Sequence, residues 1–496
     1  MKAFKFWFNF LNSKGSKLSF SYFFFSGLSL AIYLYFPAFD SWYLREDSRF
    51  FSVAPFSLYD LYDAFATPFN SMGQYRPITK VLWSLPVWLG LPIPFTYHML
   101  SFGLLIVAGL ALARIQYKLY PSVAVSGLTF CIYILLPIHQ KIMYWISAWH
   151  NIAAATFFFL CLALRFDLPK DGGSRFFLRG LSLFFLFLGF ASREIVFVVV
   201  PIIVAVDYFY GEKKIKMSLD VISLSLFFFV YLFIIASPFQ VAGVRLAGES
   251  VFSIKWIFET VDQVITNTFW SEGDAFHTVS SLTRRAIAYA VFTGGFIGLC
   301  FRPNFLLPMA MVVLGVSPFI VIGNLNLEYL VIFGGGLVLM GASLIALVCE
   351  KLSREWRVLF QFALALLPFI YVHQLEPTRS LYAGYYRVES HLVRDFVQKF
   401  SNFSDRSESD RFIEIVDFGE YVKSPASMSH HFLILGLDHL VPKHFSLFSN
   451  EALEINDGTA LKDLQDAHAF WRHITPLVFP PIKVRYRDNK IEAIHD

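Results

Sequence analysis

Between Lys17 and Asp40 the chain reads LSFSYFFFSGLSLAIYLYFPAF without a single charged side chain, and runs of this kind recur along most of its length. About 20 apolar residues wound as a helix cross the ~30 Å hydrocarbon core of a bilayer, where unpaired peptide groups are too costly to survive. The runs fall at roughly 18–39, 97–114, 121–138, 151–167, 178–192, 195–210, 219–239, 285–301, 304–323, 330–349 and 357–372. They predict an all-α polytopic membrane protein with about 11 transmembrane helices over residues 1–372. Composition agrees: 56% of the 496 residues are hydrophobic and 16% are charged, well under the roughly 25% charge of a soluble domain. The 58 Phe and 23 Tyr suit a lipid-facing surface with interfacial belts. A net charge of +4, with no basic block interleaved with aromatics, argues against nucleic acid as a partner.

Charge in the connecting segments sets the expected orientation. Lys118, Lys170, Arg175, Lys213, Lys214, Lys216, Lys351 and Arg354 lie in connections that alternate onto one side, with Arg114 and Arg302 at span ends. The bias of Lys and Arg towards the cytoplasm places that side, and the N-terminus, inside. The first run is too long for a signal-peptide core and lacks a small-residue cleavage site, so it reads as a retained helix. An odd number of spans then puts the C-terminus outside, together with the loops 40–80 and 240–283. Residues 81–95, broken by Pro86, Pro92 and Pro94, read as an interfacial or re-entrant helix. The 240–283 loop alternates apolar and polar residues at helical spacing and reads as lying along the membrane surface.

From about 373 the composition becomes that of a soluble domain. FIEIVDF, HHFLILGL and IKVRYRDNKIEAI read as strands, the last as a hairpin turning at Asp488-Asn489, and 385–400 has helical spacing. Residues 373–496 are therefore expected to form a small extracytoplasmic α/β domain. The four cysteines, Cys131, Cys161, Cys300 and Cys349, lack metal-ligand spacing and read as small apolar core residues.

Four polar clusters stand at the expected outer ends of helices. They are Glu46-Asp47; Tyr75-Arg76-Pro77-Ile78-Thr79 followed by Tyr97-His98; Pro137-Ile138-His139 leading through Lys141 to Trp145 and His150-Asn151; and Ser192-Arg193-Glu194 before Pro201 and Asp207. Two readings stand for each. Asp47 is either a base for an acceptor hydroxyl or an interfacial charge paired with Arg45 or Arg49. Arg76, Lys141 and Arg193 either bind a phosphate or anchor their helices at the interface. His98 and His139 are either catalysts or satisfied interfacial histidines. Ser192-Arg193-Glu194 is either part of a site or a tight turn with an internal ion pair. No spacing specifies a metal; a divalent ion held jointly by Glu46, Asp47 and His139 is the one arrangement left open.

In order and spacing these clusters resemble the GT-C superfamily of polytopic glycosyltransferases, and most closely bacterial relatives of the transmembrane O-mannosyltransferases that carry tetratricopeptide repeats. The resemblance covers roughly residues 18–210 and rests on an acidic pair after the first helix, a YRP-L-T run, a yH pair, an HP-x-H-x-E run with a following tryptophan, and a short S-K-E turn. The sequence departs from that pattern at Leu136, Lys141 and Ala148-Trp149, which replace a histidine, a glutamate and a Gly-Arg pair. No tetratricopeptide array follows, and the later Glu-Arg-Tyr signature survives as Leu327-Glu328-Tyr329.

The resemblance implies a bacterial inner-membrane enzyme that transfers a sugar from a polyprenyl-phosphate carrier to a glycan, lipid or protein acceptor on the outer face, without an organic cofactor. In that reading Asp47 is the base with Glu46 beside it, and Arg76, Lys141 and Arg193 hold the donor phosphate. Tyr75, His98, His139, Trp145 and Glu194 contact substrate. A single base without a nucleophilic carboxylate implies inversion at the sugar, an outcome that Glu46 leaves open. The competing expectations are a lipid-glycan flippase or exporter, a non-catalytic scaffold, and an O-antigen-type ligase or polymerase working through the 240–283 loop with His277, Arg284 and Arg285. A transporter is expected to hold ionisable groups near mid-span, whereas here nearly all lie at helix ends.

Overall fold

The structure is a computed structural model of the 496-residue chain. It describes, apart from a few interior positions, residues 17–41, 61–65, 76–168, 173–210, 219–236, 281–322, 330–376 and 379–383, with strand segments at 411–417, 445–449, 482–487 and 490–494. The helices are α1 (Lys17–Phe39), α2 (Pro77–Trp88), α3 (Pro94–Leu119), α4 (Val123–Ile134), α5 (Ile138–Tyr144), α6 (Trp149–Phe166) and α7 (Gly173–Ser192). They continue with α8 (Val200–Tyr210), α9 (Leu219–Ala236), α10 (Ser281–Phe301), α11 (Leu306–Ile322), α12 (Val331–Lys351) and α13 (Leu359–Glu376). Helix occupies most of each expected apolar run among the described residues, with 3-10 turns at Glu194–Val199 and Pro303–Phe305. Among the described residues six helices are long and apolar enough to cross a membrane, or seven if α4 and α5 are one broken span. The chain is an integral membrane protein.

Two expectations need correction in detail. The run 121–138 is not a straight span: it bends by 54° between α4 and α5, where Pro137 cannot donate to the helix ladder. The Leu136 and His139 amides there make three-residue turns, to the Tyr133 and Leu136 carbonyls. The short helix expected at 81–95 begins earlier, with Pro77 in the first turn, where a missing N–H costs nothing. Its 12 residues are too few to cross.

Burial separates a centre from a shell. Within the spanning stretch 78% of α6 and 72% of α12 is buried, against 28% of α7 and of α13. Phe36, Phe176, Phe177 and Phe362 stand exposed on the outer helices, as a lipid-facing surface requires. Close helix approach rests on small residues. A Cβ on Gly336 of α12 would come within 2.8 Å of Met311 and 3.0 Å of the Pro308 carbonyl on α11, while one on Gly27 of α1 would meet Cys131 Sγ of α4 at 2.9 Å. Cys131 and Cys161 are buried, but Cys300 is exposed on the helix surface rather than in the core.

The two ends of the bundle differ. α13 lies parallel to α1, with the Tyr22 hydroxyl donating to the Ala365 carbonyl and the Tyr33 hydroxyl to Glu376, each 2.9 Å. The loop after α1 and the chain after α13 therefore leave from the same end. The opposite end is braced by ion pairs. Arg165 of α6 meets Asp207 of α8 at 2.9 Å and Asp220 of α9 at 3.2 Å, and Arg179 of α7 reaches Asp220 at 2.6 Å. Asp167 accepts from both Arg114 and Lys118, at 2.8 and 2.7 Å.

In the C-terminal part, β1 (Arg411–Asp417), β2 (Phe445–Ser449), β3 (Ile482–Arg487) and β4 (Lys490–Ile494) form one sheet in the order β2-β1-β3-β4. β1 pairs in parallel with β2 and β3, and β3 with β4 as the expected hairpin, closing at Arg487 and Lys490. β2 was not signalled by the sequence pattern. The strand expected at HHFLILGL, the helix expected at 385–400 and most of the 240–283 segment lie outside the described residues.

Candidate functional site

At the end of the bundle from which α1 and α13 release the chain, two arginines converge on one imidazole. Arg76 immediately precedes α2, and its carbonyl accepts the first helical hydrogen bond, from Lys80 at 3.2 Å. Arg193 holds an extended conformation between α7 and the 3-10 turn Glu194–Val199, its amide bonded to the Gly189 carbonyl at 3.1 Å. His150 lies in the first turn of α6, after a 3-10 turn at Ile146–Ala148. Arg76 Nη1 is 3.3 Å from His150 Nε2. Arg193 Nη1 contacts the same Nε2 and the Asn151 Oδ1. All four side chains are largely buried, with at most 8% of their surface exposed.

Donor and acceptor counts show what this arrangement can hold. A guanidinium only donates, so Nε2 of His150 is the acceptor and the ring proton sits on Nδ1. Nδ2 of Asn151 is buried with no hydrogen-bond partner among the described residues. The first-turn N–H groups of α6, on which both His150 and Asn151 stand, add the positive end of an 18-residue helix. Two guanidiniums and the first turn of α6 thus gather at one place. An anion with several oxygens, such as a phosphate, is the kind of ligand such donors bind.

An aromatic wall lies against α6 at the same level. Trp83, Tyr97 and Trp149 have no exposed surface, and their ring centroids are 4.7 to 5.9 Å apart. Tyr97 fixes α3 to α2 by donating to the Trp83 carbonyl at 2.9 Å. Thr79 reaches across to the Ser192 carbonyl at 3.5 Å, joining α2 to the end of α7 beside Arg193. These contacts hold the two arginine-bearing segments in register.

The structure brings Arg76 and Arg193 together, and unites Lys141 and Trp145 in a separate pair, with Nζ 5.7 Å from the indole centroid. His98 is fully buried, with Nδ1 2.7 Å from the Met143 carbonyl and Nε2 3.2 Å from that of Ser41. His139 is also fully buried, its ring edge-on to Tyr133 at 4.9 Å. Glu46, Asp47 and Tyr75 lie outside the described residues, as does the side chain of Glu194. Among the described residues no three His, Cys, Asp or Glu side chains are grouped to hold a metal ion. His150 and Asn151 are the residues whose part sequence reasoning did not assign. They closed the third polar cluster, but a His-Asn dipeptide has no spacing that specifies a partner.

No family profile and no curated protein sequence matches the chain. Solved structures do. ArnT from Cupriavidus metallidurans in the apo state aligns over 93% of this chain and 92% of its own, with a TM-score of 0.55 and 11% identity. The same ArnT bound to undecaprenyl phosphate aligns over equal shares with a TM-score of 0.49. The archaeal oligosaccharyltransferase AglB from Archaeoglobus fulgidus, in complex with an inhibitory peptide and a dolichol-phosphate, gives 0.46 at 13% identity, over 84% of this chain and 64% of that one. The fold is the GT-C fold expected from the motif order; the narrower likeness to O-mannosyltransferases finds no counterpart among these structures.

Proposed function

We propose that this chain, an integral membrane protein with the GT-C fold, is a glycosyltransferase that takes a sugar from a polyprenyl-phosphate donor and passes it to a glycan, lipid or protein acceptor at the outer face of a bacterial inner membrane. The observation that carries the reading is the convergence of Arg76 and Arg193 on His150 and Asn151 at one end of the bundle. ArnT, whose fold this chain shares, has been seen with undecaprenyl phosphate, and a lipid phosphate is the anion that a buried guanidinium pair at a bilayer surface is suited to meet.

The reaction asks for little beyond charge and placement. The acceptor oxygen attacks the anomeric carbon, the bond from that carbon to the phosphate oxygen breaks, and its electron pair stays on the phosphate. Asp47 takes the hydroxyl proton, with Glu46 beside it. The departing phosphate gains negative charge, so it needs cations rather than a proton, and Arg76 and Arg193 supply them in a largely dry site. Lys141, over Trp145, is a third cation for the same end. Attack opposite the leaving group inverts the sugar. Tyr75, Trp145 and Glu194 remain candidates for sugar or acceptor contacts, and residues 373–496 for a separate extracytoplasmic domain.

A flippase or exporter is the less favoured reading. The buried ion pairs that the structure describes, such as Arg165 with Asp207, lock one end of the bundle rather than line its middle. The test is Asp47→Asn in cells, with envelope glycans and glycolipids profiled by mass spectrometry. One glycoform is expected to disappear while the protein accumulates normally; an unchanged profile at normal protein level rejects the base assignment.

A further inference from the structure

We propose that Tyr97 and His98 are positioning residues, a clasp on α3 that fixes the exits of α1 and α5 and the flank of α2, and so sets the chain segments leading into the candidate site. The role of these segments rests on the glycosyltransferase reading; the clasp itself rests on geometry alone.

The last carbonyls of a helix have no N–H ahead of them to accept from. Met143 is the next-to-last residue of α5, and Ser41 follows the end of α1, its own amide bonded back to Ala38 at 3.0 Å. Both of their carbonyls point at one ring. His98 Nδ1 stands 2.7 Å from Met143 and Nε2 3.2 Å from Ser41, with no part of the side chain exposed. The negative ends of two helices therefore share one donor side chain. Only the imidazolium donates to both; the neutral ring donates to one, the nearer carbonyl of Met143, and packs its other nitrogen, an acceptor, against the second without a hydrogen bond.

What the two exits lead to gives the clasp its meaning. Five residues beyond Ser41 the chain reaches Glu46-Asp47, and beyond Met143 it turns through Ile146–Ala148 into Trp149 and His150. The neighbouring Tyr97 donates to the Trp83 carbonyl at 2.9 Å, three residues ahead of the Pro86 interruption of α2, the helix whose start carries Arg76. Adjacent side chains of one helix thus tie down the approaches to three elements of the site. A ligand role for His98 would need a ring nitrogen turned to substrate, and both face backbone.

The test uses the full chain in detergent, comparing wild type with His98→Phe, His98→Gln and Tyr97→Phe by hydrogen exchange, undecaprenyl phosphate binding and product formation. In His98→Phe, exchange at 38–41 and 143–150 is expected to rise at least about tenfold, with α12 unchanged as the internal control. Undecaprenyl phosphate affinity is expected to fall less than turnover, which drops on the order of 100-fold, as misplacement by about 1 Å produces. His98→Gln, which keeps a donor, is expected to recover most of the turnover, and Tyr97→Phe to loosen 80–88 alone. Unchanged exchange at both exits in His98→Phe overturns the proposal, as does lost lipid-phosphate binding with exchange intact, the mark of a ligand. Should His98→Phe fail to accumulate, His98→Gln decides: one amide nitrogen replaces two ring nitrogens, so exchange must rise at one exit at least. The exchange result stands even if no glycosyl transfer is found, so the two readings fail separately.

Discussion

Arg76 and Arg193 were legible as candidates because each is a cation at a helix end that the positive-inside bias does not explain. Their meeting point was not. His150 is 74 residues from Arg76 and 43 from Arg193 along the chain, and only the packing of α2, α6 and α7 brings the three together. Since one ring nitrogen serves both guanidiniums, their contributions must be coupled. A double-mutant cycle of His150→Ala with Arg193→Ala on undecaprenyl phosphate binding is expected to show a coupling energy of about 1–3 kcal/mol. Additive losses, within about 0.5 kcal/mol, would mean that His150 plays no part in organising the arginines. The two other histidines teach the converse lesson. His98 and His139 lay near the same polar runs in sequence, yet both are sealed from solvent, since adjacency to a motif does not determine which way a side chain points on a helix.

Among the elements, periodicity and hydrophobic length recovered the helices but not every interruption. The third run, expected as one span over 121–138, breaks at Pro137, and the 54° bend turns α5 away from the line of α4. The break at Ser192-Arg193-Glu194 is the expected one, between runs ending at 192 and starting at 195: α7 ends at Ser192 and Arg193 is extended. What steadies the elements is found at the far end of α6 from His150, about 20–25 Å away at 1.5 Å per residue. There Arg165 is buried among Asp207, Asp220 and Ser182, drawing α6, α7, α8 and α9 together. Removing one partner strands a buried charge. Asp207→Ala is therefore expected to cost about 3 kcal/mol, the lower end for a broken buried pair because Asp220 and Ser182 remain. Thermal unfolding of the full chain in detergent measures this, and the loss should be insensitive to salt, which screens exposed pairs far more than buried ones. An unchanged midpoint would mean that the pair is not formed.

At the scale of the whole molecule, composition alone gave the membrane class, and the order of weak motifs gave the GT-C fold, which the alignment with ArnT bears out over most of the chain. The parallel setting of α1 and α13, held by Tyr22 and Tyr33, is a tertiary fact that no local pattern encodes. It puts the loop bearing Glu46-Asp47 and the C-terminal sheet segment on chain that departs from one end of the bundle, the end where the arginines meet. The strands of the hairpin were readable because alternation and an Asp-Asn turn coincide. β2, reading FSLFS, offers too short an alternation to stand out. The central claim is that the arginine pair receives a lipid phosphate, and native mass spectrometry of undecaprenyl phosphate bound to wild type and to the Arg76→Ala, Arg193→Ala double variant tests it most directly. The account predicts specific binding to wild type that weakens by at least about 100-fold, or some 2.7 kcal/mol, in a double variant that remains folded; equal affinity in the two proteins would contradict it.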